Sequence, residues 1–216
     1  MDKLDREFRG IANIYKPVGP SSFEIVRRLR GYLDEKKIGH AGTLDPLASG
    51  VLVVAIGREF TKNIGGIQKL KKKYLAELHL GKTSTTDDEE GDKQEIEIKK
   101  KPTREEIEQC LQVNIGEQMQ TPPKYSAKKV SGQRAYKLAR SGKDFTLEPK
   151  KIIIYKIDII KYKWPILKIE VECSSGTYIR SLARDIGKCL ETGAYLKSLS
   201  RTAIGKYKIE DAIKTR

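Results

Sequence analysis

Apolar and polar positions along this chain alternate with two different periods, and the places where the period changes divide it into elements. Residues 11–15 predict a strand, and Lys16-Pro17-Val18-Gly19-Pro20 then turns the chain. Ser21 followed by Glu24 is a capping-box pair, after which Ile25, Leu29 and Leu33 share one helical face. The unbroken apolar run 51–56 predicts a buried strand, and residues 74–80 a further strand that ends at Gly81. Residues 83–94 carry Asp87, Asp88, Glu89, Glu90 and Asp92 and predict a solvated loop. Thr103 with Glu106 opens a second capped helix, its inner face formed by Ile107, Cys110 and Leu111. Pro122-Pro123 interrupts the chain, and residues 136–141 have a helical pattern. Residues 150–163 and 166–173 predict an antiparallel pair about Trp164-Pro165, with Leu167, Ile169, Val171 and Cys173 alternating against Lys168, Glu170 and Glu172. Residues 178–190 predict an amphipathic helix with Ile179, Leu182, Ala183, Ile186 and Leu190 inward. Strands and helices in this mixed order predict an α+β fold: a mixed, largely antiparallel central sheet flanked by helices. One domain over residues 1–216 is expected, with an insertion at 118–144.

Composition narrows the partners. The 216 residues are 38% hydrophobic and 33% charged, with a formal net charge of +14, so an anionic partner is expected and nucleic acid is the first candidate. No basic amphipathic helix with a strong apolar face points to a membrane surface, and the run 51–56 is too short to cross a bilayer. The mixed-charge start of the chain lacks the apolar core of a signal peptide, so a cytoplasmic protein is expected. Cys110, Cys173 and Cys189 are scattered, which predicts reduced thiols and neither a disulfide framework nor a zinc site. The insertion concentrates the positive charge. Between residues 118 and 143 lie Lys124, Lys128, Lys129, Arg134, Lys137, Arg140 and Lys143, with Tyr125 and Tyr136 among them and no acidic residue. Positive charge interleaved with aromatic rings suits a surface that follows phosphates and stacks on bases.

Candidate chemistry gathers between residues 39 and 52, Gly-His-Ala-Gly-Thr-Leu-Asp-Pro-Leu-Ala-Ser-Gly-Val-Leu. Asp45 stands in a glycine-rich loop just before the buried strand. Gly39, Gly42 and Gly50 permit tight turns and close backbone approach, and Pro46 biases Asp45 toward an extended conformation. Taken alone, Asp45-Pro46 also fits a helix start, with Asp as N-cap and Pro as first helical residue.

The whole segment resembles the catalytic loop of the TruB family of tRNA pseudouridine synthases, whose Gly-Thr-Leu-Asp-Pro core matches Gly42 to Pro46 and whose Ala-x-Gly-Val-Leu matches Ala48, Gly50, Val51 and Leu52. Four further blocks resemble the family in its own order. They are Lys16-Pro17-Val18-Gly19-Pro20-Ser21-Ser22; Lys73-Tyr74 with Gly81, Thr83, Thr86, Asp87 and Gly91; residues 121–132 continuing to Tyr136, Ala139, Arg140 and Gly142; and residues 173–187. The Gly39-His40-Ala41 lead-in is similar to the stand-alone bacterial type. Many members continue into a small C-terminal RNA-binding module; this sequence ends at Arg216, so no such module is expected.

The resemblance implies isomerisation of uridine to pseudouridine at position 55 in the T-loop of tRNA, with no cofactor and no metal. It assigns the essential carboxylate to Asp45, as nucleophile or base. A carboxylate in a base-binding pocket loses solvation and tends to protonate; the resemblance supplies Arg180 as the guanidinium that keeps it charged. Tyr74 is the implied ring beneath the base, Tyr178 a second wall, Leu199 an apolar wall, and His40 a contact to the RNA loop. Lys16, Gly42, Thr43, Lys128, Lys129 and Arg140 join them as implied substrate contacts. The partner expected is the tRNA T-arm, bound by a monomer. His79, on an alternating strand, is expected to be structural.

Two other readings compete. One is a tRNA-binding or folding module without chemistry, for which an Asp45, Tyr74 and Arg180 set has no evident use. The other is an N-glycoside hydrolase, which needs a second paired carboxylate that the sequence does not nominate. The basic insertion itself predicts that tRNA affinity falls steeply with salt, because phosphate contacts release counterions. Titrating tRNA at about 50 and 200 mM salt checks this, and an unchanged Kd would refute the phosphate-tracking role.

Overall fold

The apolar run after the glycine-rich loop becomes the middle of a sheet, and much of the surrounding chain is arranged by what pairs with it. In the computed structural model, residues 4–126, 128–130, 132–142 and 144–214 are described, Lys129 by its backbone alone. Of the readings above, those on Met1 to Lys3, Ala127, Ser131, Lys143 and Arg216, and on the side chain of Lys129, lie outside the described residues. In chain order the elements are β1 (Gly10–Lys16), α1 (Ser22–Leu33), β2 (Ile38–His40), β3 (Ala48–Ile56), α2 (Arg58–Lys69), β4 (Lys72–Leu80), β5 (Lys82–Ser84), β6 (Lys93–Glu95), α3 (Arg104–Val113) and β7 (Gly116–Gln120). There follow β8 (Lys129–Val130), β9 (Gln133–Arg134), α4 (Ala135–Arg140), β10 (Lys150–Lys163), β11 (Ile166–Cys173), α5 (Ile179–Cys189), β12 (Ala194–Ile204), β13 (Tyr207–Lys208) and β14 (Ile213–Lys214). The fold is α+β, with mostly antiparallel strand pairs, as expected.

The chain divides into two units, Met1–Leu75 with Leu199–Arg216, and Ala76–Ser198. In the first, β3 pairs antiparallel with β1 from Gly10↔Ile56 to Lys16↔Gly50, and antiparallel with β2 from Ile38↔Ile56 to His40↔Val54. Its first residues run parallel to β12, with Leu199 opposite Ala48 and Arg201 opposite Gly50. Leu52, Val54 and Ile56 pack with Ile25, Val26, Leu29 and Leu33 of α1. Val51 and Val53 pack with Ala41 and Ile204, and Ile64 and Ile67 of α2 lean on them. Both faces of β3 are covered, which is why the strand reads as a continuous apolar run. The capping box of α1 forms as expected: Glu24 N donates to Ser21 Oγ at 3.2 Å and Ser21 N to Glu24 Oε2 at 2.7 Å. The pattern did not predict α2. Gly65-Gly66 in its middle reads as a turn, and the helix is held by its two isoleucines without burying any residue fully.

In the second unit, β10 and β11 form the expected hairpin, from Ile154↔Cys173 to Lys163↔Ile166, and β7 pairs with the start of β10. Helices α3 and α5 carry the predicted buried residues, Ile107, Cys110 and Leu111 on one and Ile179, Leu182, Ala183 and Ile186 on the other. Two expectations need correction. Cys110 and Cys189 form a disulfide between α3 and α5, with Cα atoms 6.0 Å apart, while Cys173 is buried and outside any disulfide. The partners are 79 residues apart in sequence, and only the packing of the two helices brings them together. The acidic stretch 83–94 is not simply a solvated loop. Its ends pair as the β5–β6 hairpin, and Asp88 within it is 2% exposed.

The α1–β3 core sets a direct stability test. Leu29 is completely buried, so Leu29→Ala is expected to cost about 2–5 kcal/mol. Arg28→Ala, on the exposed face of the same helix, should cost less than about 0.5 kcal/mol. Urea denaturation of both variants against wild type checks the difference.

Candidate active site

Asp45 sits in a short connection that leaves β2 and re-enters the sheet as β3, and the backbone carbonyls from Gly42 to Pro46 each have a partner. Arg201 on β12 is 1% exposed and fans its guanidinium over the loop: Nε donates to Val51 O at 2.8 Å, Nη2 to Gly42 O at 3.0 Å and Nη1 to Thr43 O at 3.4 Å. Ser22 at the start of α1 donates its hydroxyl to Leu44 O at 2.9 Å and accepts from Leu44 N at 2.8 Å. Gly19 N donates to Pro46 O at 2.9 Å, and Ala48 N to Asp45 O at 3.0 Å. The residues after Asp45 therefore form a turn that leads into a strand, and the helix-start reading of Asp45-Pro46 is not realised. Two glycines make this geometry possible. Gly42 and Gly50 have φ of 109° and 107°, values that L side chains rarely adopt. A Cβ on Gly50 would lie 2.2 Å from the Arg201 carbonyl oxygen.

Lys16 closes the loop from below. Its side chain is fully buried, and Nζ donates to Pro17 O and Pro20 O, both at 2.8 Å, and to Pro46 O at 3.4 Å. Burial pushes the ammonium down to about pKa 8; the Asp45 carboxylate favours its charge and Arg201 opposes it. His40 on β2 is held below its usual pKa by burial first and by the Arg201 charge second. Its Nδ1 is buried without a hydrogen-bond partner. A neutral imidazole in this state fits a contact residue better than a proton carrier. Asp45 is half-buried and Thr43 exposed, while Tyr74 on β4 is 7% exposed. Leu199, half-buried on β12, stands opposite Ala48 in the ladder. The structure thus gathers Lys16, His40, Gly42, Thr43 and Asp45 about one loop.

The remaining predicted residues belong to the second unit. Arg180 lies in the first turn of α5, 6% exposed. Nη1 pairs with Asp88 Oδ2 at 3.1 Å and approaches Thr86 O at 3.5 Å, while Nη2 donates to Tyr125 O at 3.0 Å. Asp88 also accepts from the Thr86 hydroxyl and from Glu90 N. Tyr178, just before α5, is held by its backbone: its N donates to Gln120 Oε1 at 2.8 Å, and Gln120 Nε2 donates to Tyr178 O at 3.1 Å. Lys128 donates to Glu148 O at 2.8 Å, and the exposed Arg140 rests over the Tyr136 ring at 5.9 Å. A cavity of about 940 Å³ opens beside α5, walled by Thr121, Tyr125, Phe145, Leu147 and Arg184 among others. His79 stacks on Tyr195, with ring centroids 5.2 Å apart.

Sequence reasoning missed Arg201, Ser22, Gln120 and Asp88. Arg201 was visible only as the single charged residue in Leu199 to Ile204, a weak sign of a cation turned inward from a strand. Among the described residues no group of three His, Cys, Asp or Glu side chains is arranged to hold a metal ion, and no helix is long and apolar enough to cross a membrane.

Comparison with known proteins gives consistent matches. Residues 30–179 match the family described as TruB family pseudouridylate synthase, N-terminal domain. A tRNA pseudouridine synthase B of Clostridium kluyveri is 46% identical over 207 residues, covering 94% of this chain and 70% of the relative. One of Bacteroides fragilis is 43% identical, covering 92% and 87%. Among solved structures, a Cbf5-Nop10-Gar1 complex superposes with TM-score 0.75 at 29% identity over 99% of this chain. An H/ACA RNP bound to a substrate RNA containing 2′-deoxyuridine superposes with TM-score 0.71 at 28% identity over 95%. This chain spans 55% and 50% of those two solved chains, about half their length.

The buried ammonium of Lys16 makes stability depend on pH in a definite direction. Its pKa is lower folded than unfolded, so between about pH 8 and 10.5 the unfolded chain binds more protons and stability rises with pH. Relative to Lys16→Met, which cannot titrate there, wild type should gain stability from pH 8 to 10. Urea midpoints of both proteins across that range check the sign, and a constant gap would show that the ammonium is not desolvated.

Proposed function

This chain is a member of the TruB family of pseudouridylate synthases and an enzyme that converts uridine to pseudouridine in tRNA; from that premise we propose that its target is the uridine at position 55 of the T-loop, with Asp45 as the group on which the reaction turns. The observation that supports the role of Asp45 is the immobilisation of its loop. Arg201, Lys16, Ser22 and Gly19 hold the carbonyls of Gly42, Thr43, Leu44 and Pro46, while Asp45 itself stays half-buried in the loop before β3. A catalytic group held this rigidly loses little freedom when substrate arrives.

The reaction breaks the bond from ribose C1′ to uracil N1, turns the base, and joins C5 to C1′. The proton lost from C5 is balanced by one gained at N1, so no electrons are exchanged with another molecule. Asp45 supplies the negative oxygen, as nucleophile or base. Arg180 supplies the guanidinium that favours an ionised carboxylate in a dry pocket. A uridine within a folded loop is stacked and must be extruded at a cost of a few kcal/mol. Stacking on an aromatic ring returns about 1–3 kcal/mol per base, a role that falls to Tyr74, with Tyr178 and Leu199 as further walls. His40, Gly42 and Thr43 meet the RNA around the target, with Lys16 beneath them. The insertion 118–144, through Lys128, Lys129 and Arg140, follows the phosphates of the T-arm. The chain acts as one catalytic domain and as a monomer.

A single-turnover assay on an unmodified tRNA transcript tests this reading. Asp45→Asn is expected to lower the rate by about 10²–10⁴-fold or more, with tRNA affinity largely retained and the product mapped to position 55. Release of free uracil by wild type would indicate hydrolysis instead. Absence of product from wild type, together with loss of binding in the variant, would leave only a binding module.

A further inference from the structure

Helix α5 carries two arginines one turn apart, Arg180 and Arg184, and at that spacing they share one face. They meet two consecutive carboxylates in the turn between β5 and β6. Arg180 Nη1 pairs with Asp88 Oδ2 at 3.1 Å, and Arg184 Nη1 with Asp87 Oδ2 at 2.8 Å. Each guanidinium then reaches a carbonyl at the start of the insertion, Nη2 of Arg180 donating to Tyr125 O and Nη2 of Arg184 to Thr121 O, both at 3.0 Å. The two arginines therefore rivet the same two segments, the turn at 86–88 and the chain at 121–125, to one helix.

We propose that Arg184 is a positioning residue that, through Asp87 and the Thr121 carbonyl, fixes the two segments from which Arg180 takes its partners. The inference rests on the role given to Arg180 above. It asks nothing of Arg184 in direct contact with substrate.

The alternative for a partly exposed arginine beside a large cavity in a basic RNA-binding protein is a phosphate contact. The geometry disfavours it. Nε of Arg184 donates to Asp185 Oδ1 at 3.2 Å, so Nε, Nη1 and Nη2 each have an acceptor within the protein. Only one N–H on each terminal nitrogen is left for a phosphate, on a group already oriented by three protein acceptors. Both partners are also largely withdrawn from water, with side-chain exposures of 21% for Arg184 and 17% for Asp87, so the pair is less screened than a surface ion pair. Burial pushes the Asp87 carboxyl above its usual pKa while the Arg184 charge holds it down, which makes the arginine the chief support of its ionised form. The backbone of the turn is anchored as well, since Leu196 N donates to Asp87 O at 3.0 Å. What Arg184 adds is the side-chain tie from that turn to α5 and the insertion.

The test measures single-turnover rate at saturating tRNA and tRNA Kd separately, for Arg184→Gln, Asp87→Asn, the double variant and Arg184→Lys. Each single change is expected to slow the chemical step by about 10–100-fold while Kd moves by less than about threefold, the pattern of a lost positioning contact. The double variant should be no slower than the worse single, because both remove one interaction. Arg184→Lys should recover part of the rate, since it restores charge without the fork. If Arg184→Gln does not fold, Asp87→Asn and Arg184→Lys carry the same comparison. An unchanged rate, additive losses, or a weakened Kd with a shallower salt dependence and an intact rate would each overturn the proposal. Wild type that makes no pseudouridine would overturn the functional reading first, and this inference with it.

Discussion

A guanidinium with almost no access to water, that of Arg201, is the constraint on which the candidate site depends. Bringing such a cation out of water costs several kcal/mol unless its donors are met. Here each nitrogen has a carbonyl, those of Gly42 and Thr43 in the connection and that of Val51 at the start of the buried run. The cation and the loop are thus mutually necessary. Without the loop the charge is stranded, and without the charge the carbonyls of Gly42, Thr43 and Val51 lose a shared donor. Gly50 belongs to the same arrangement, because any side chain there would strike the Arg201 backbone.

The same device recurs elsewhere in the chain. Lys16 spends its three ammonium donors on the carbonyls of Pro17, Pro20 and Pro46, prolines that contribute acceptors but no amide donors of their own. Arg180 is met by one carboxylate and two carbonyls. In each case a buried cation organises irregular backbone near residues that the family resemblance assigns to chemistry. Buried positive charge here shapes loops.

Much of this was legible in the sequence, and the reasons are physical. The capping boxes at Ser21 and Thr103, the double-faced strand around Val53 and the alternation of Leu167 to Cys173 are local patterns, and each element formed where its pattern placed it. Asp45 was legible because glycines and a proline crowd around it, and because long motifs resemble a known family. The partners of the site were not legible. Arg201 lies 158 and 159 residues from the loop carbonyls it holds, Asp88 is hidden in a run that composition marks as solvated, and Cys110 meets Cys189 only through helix packing. Helix α2 was obscured by two central glycines that local propensity counts as a break.

The register of β3 has a consequence for how this region can vary. The strand is paired with β1 and β2 and, at its first residues, with β12, so neither end of the segment between His40 and Ala48 can slide to absorb a change in its size. Substitutions there alter chemistry one side chain at a time. Adding or removing a single residue would instead shift the carbonyls that Arg201, Ser22 and Gly19 hold, which makes length a tightly constrained property of this stretch.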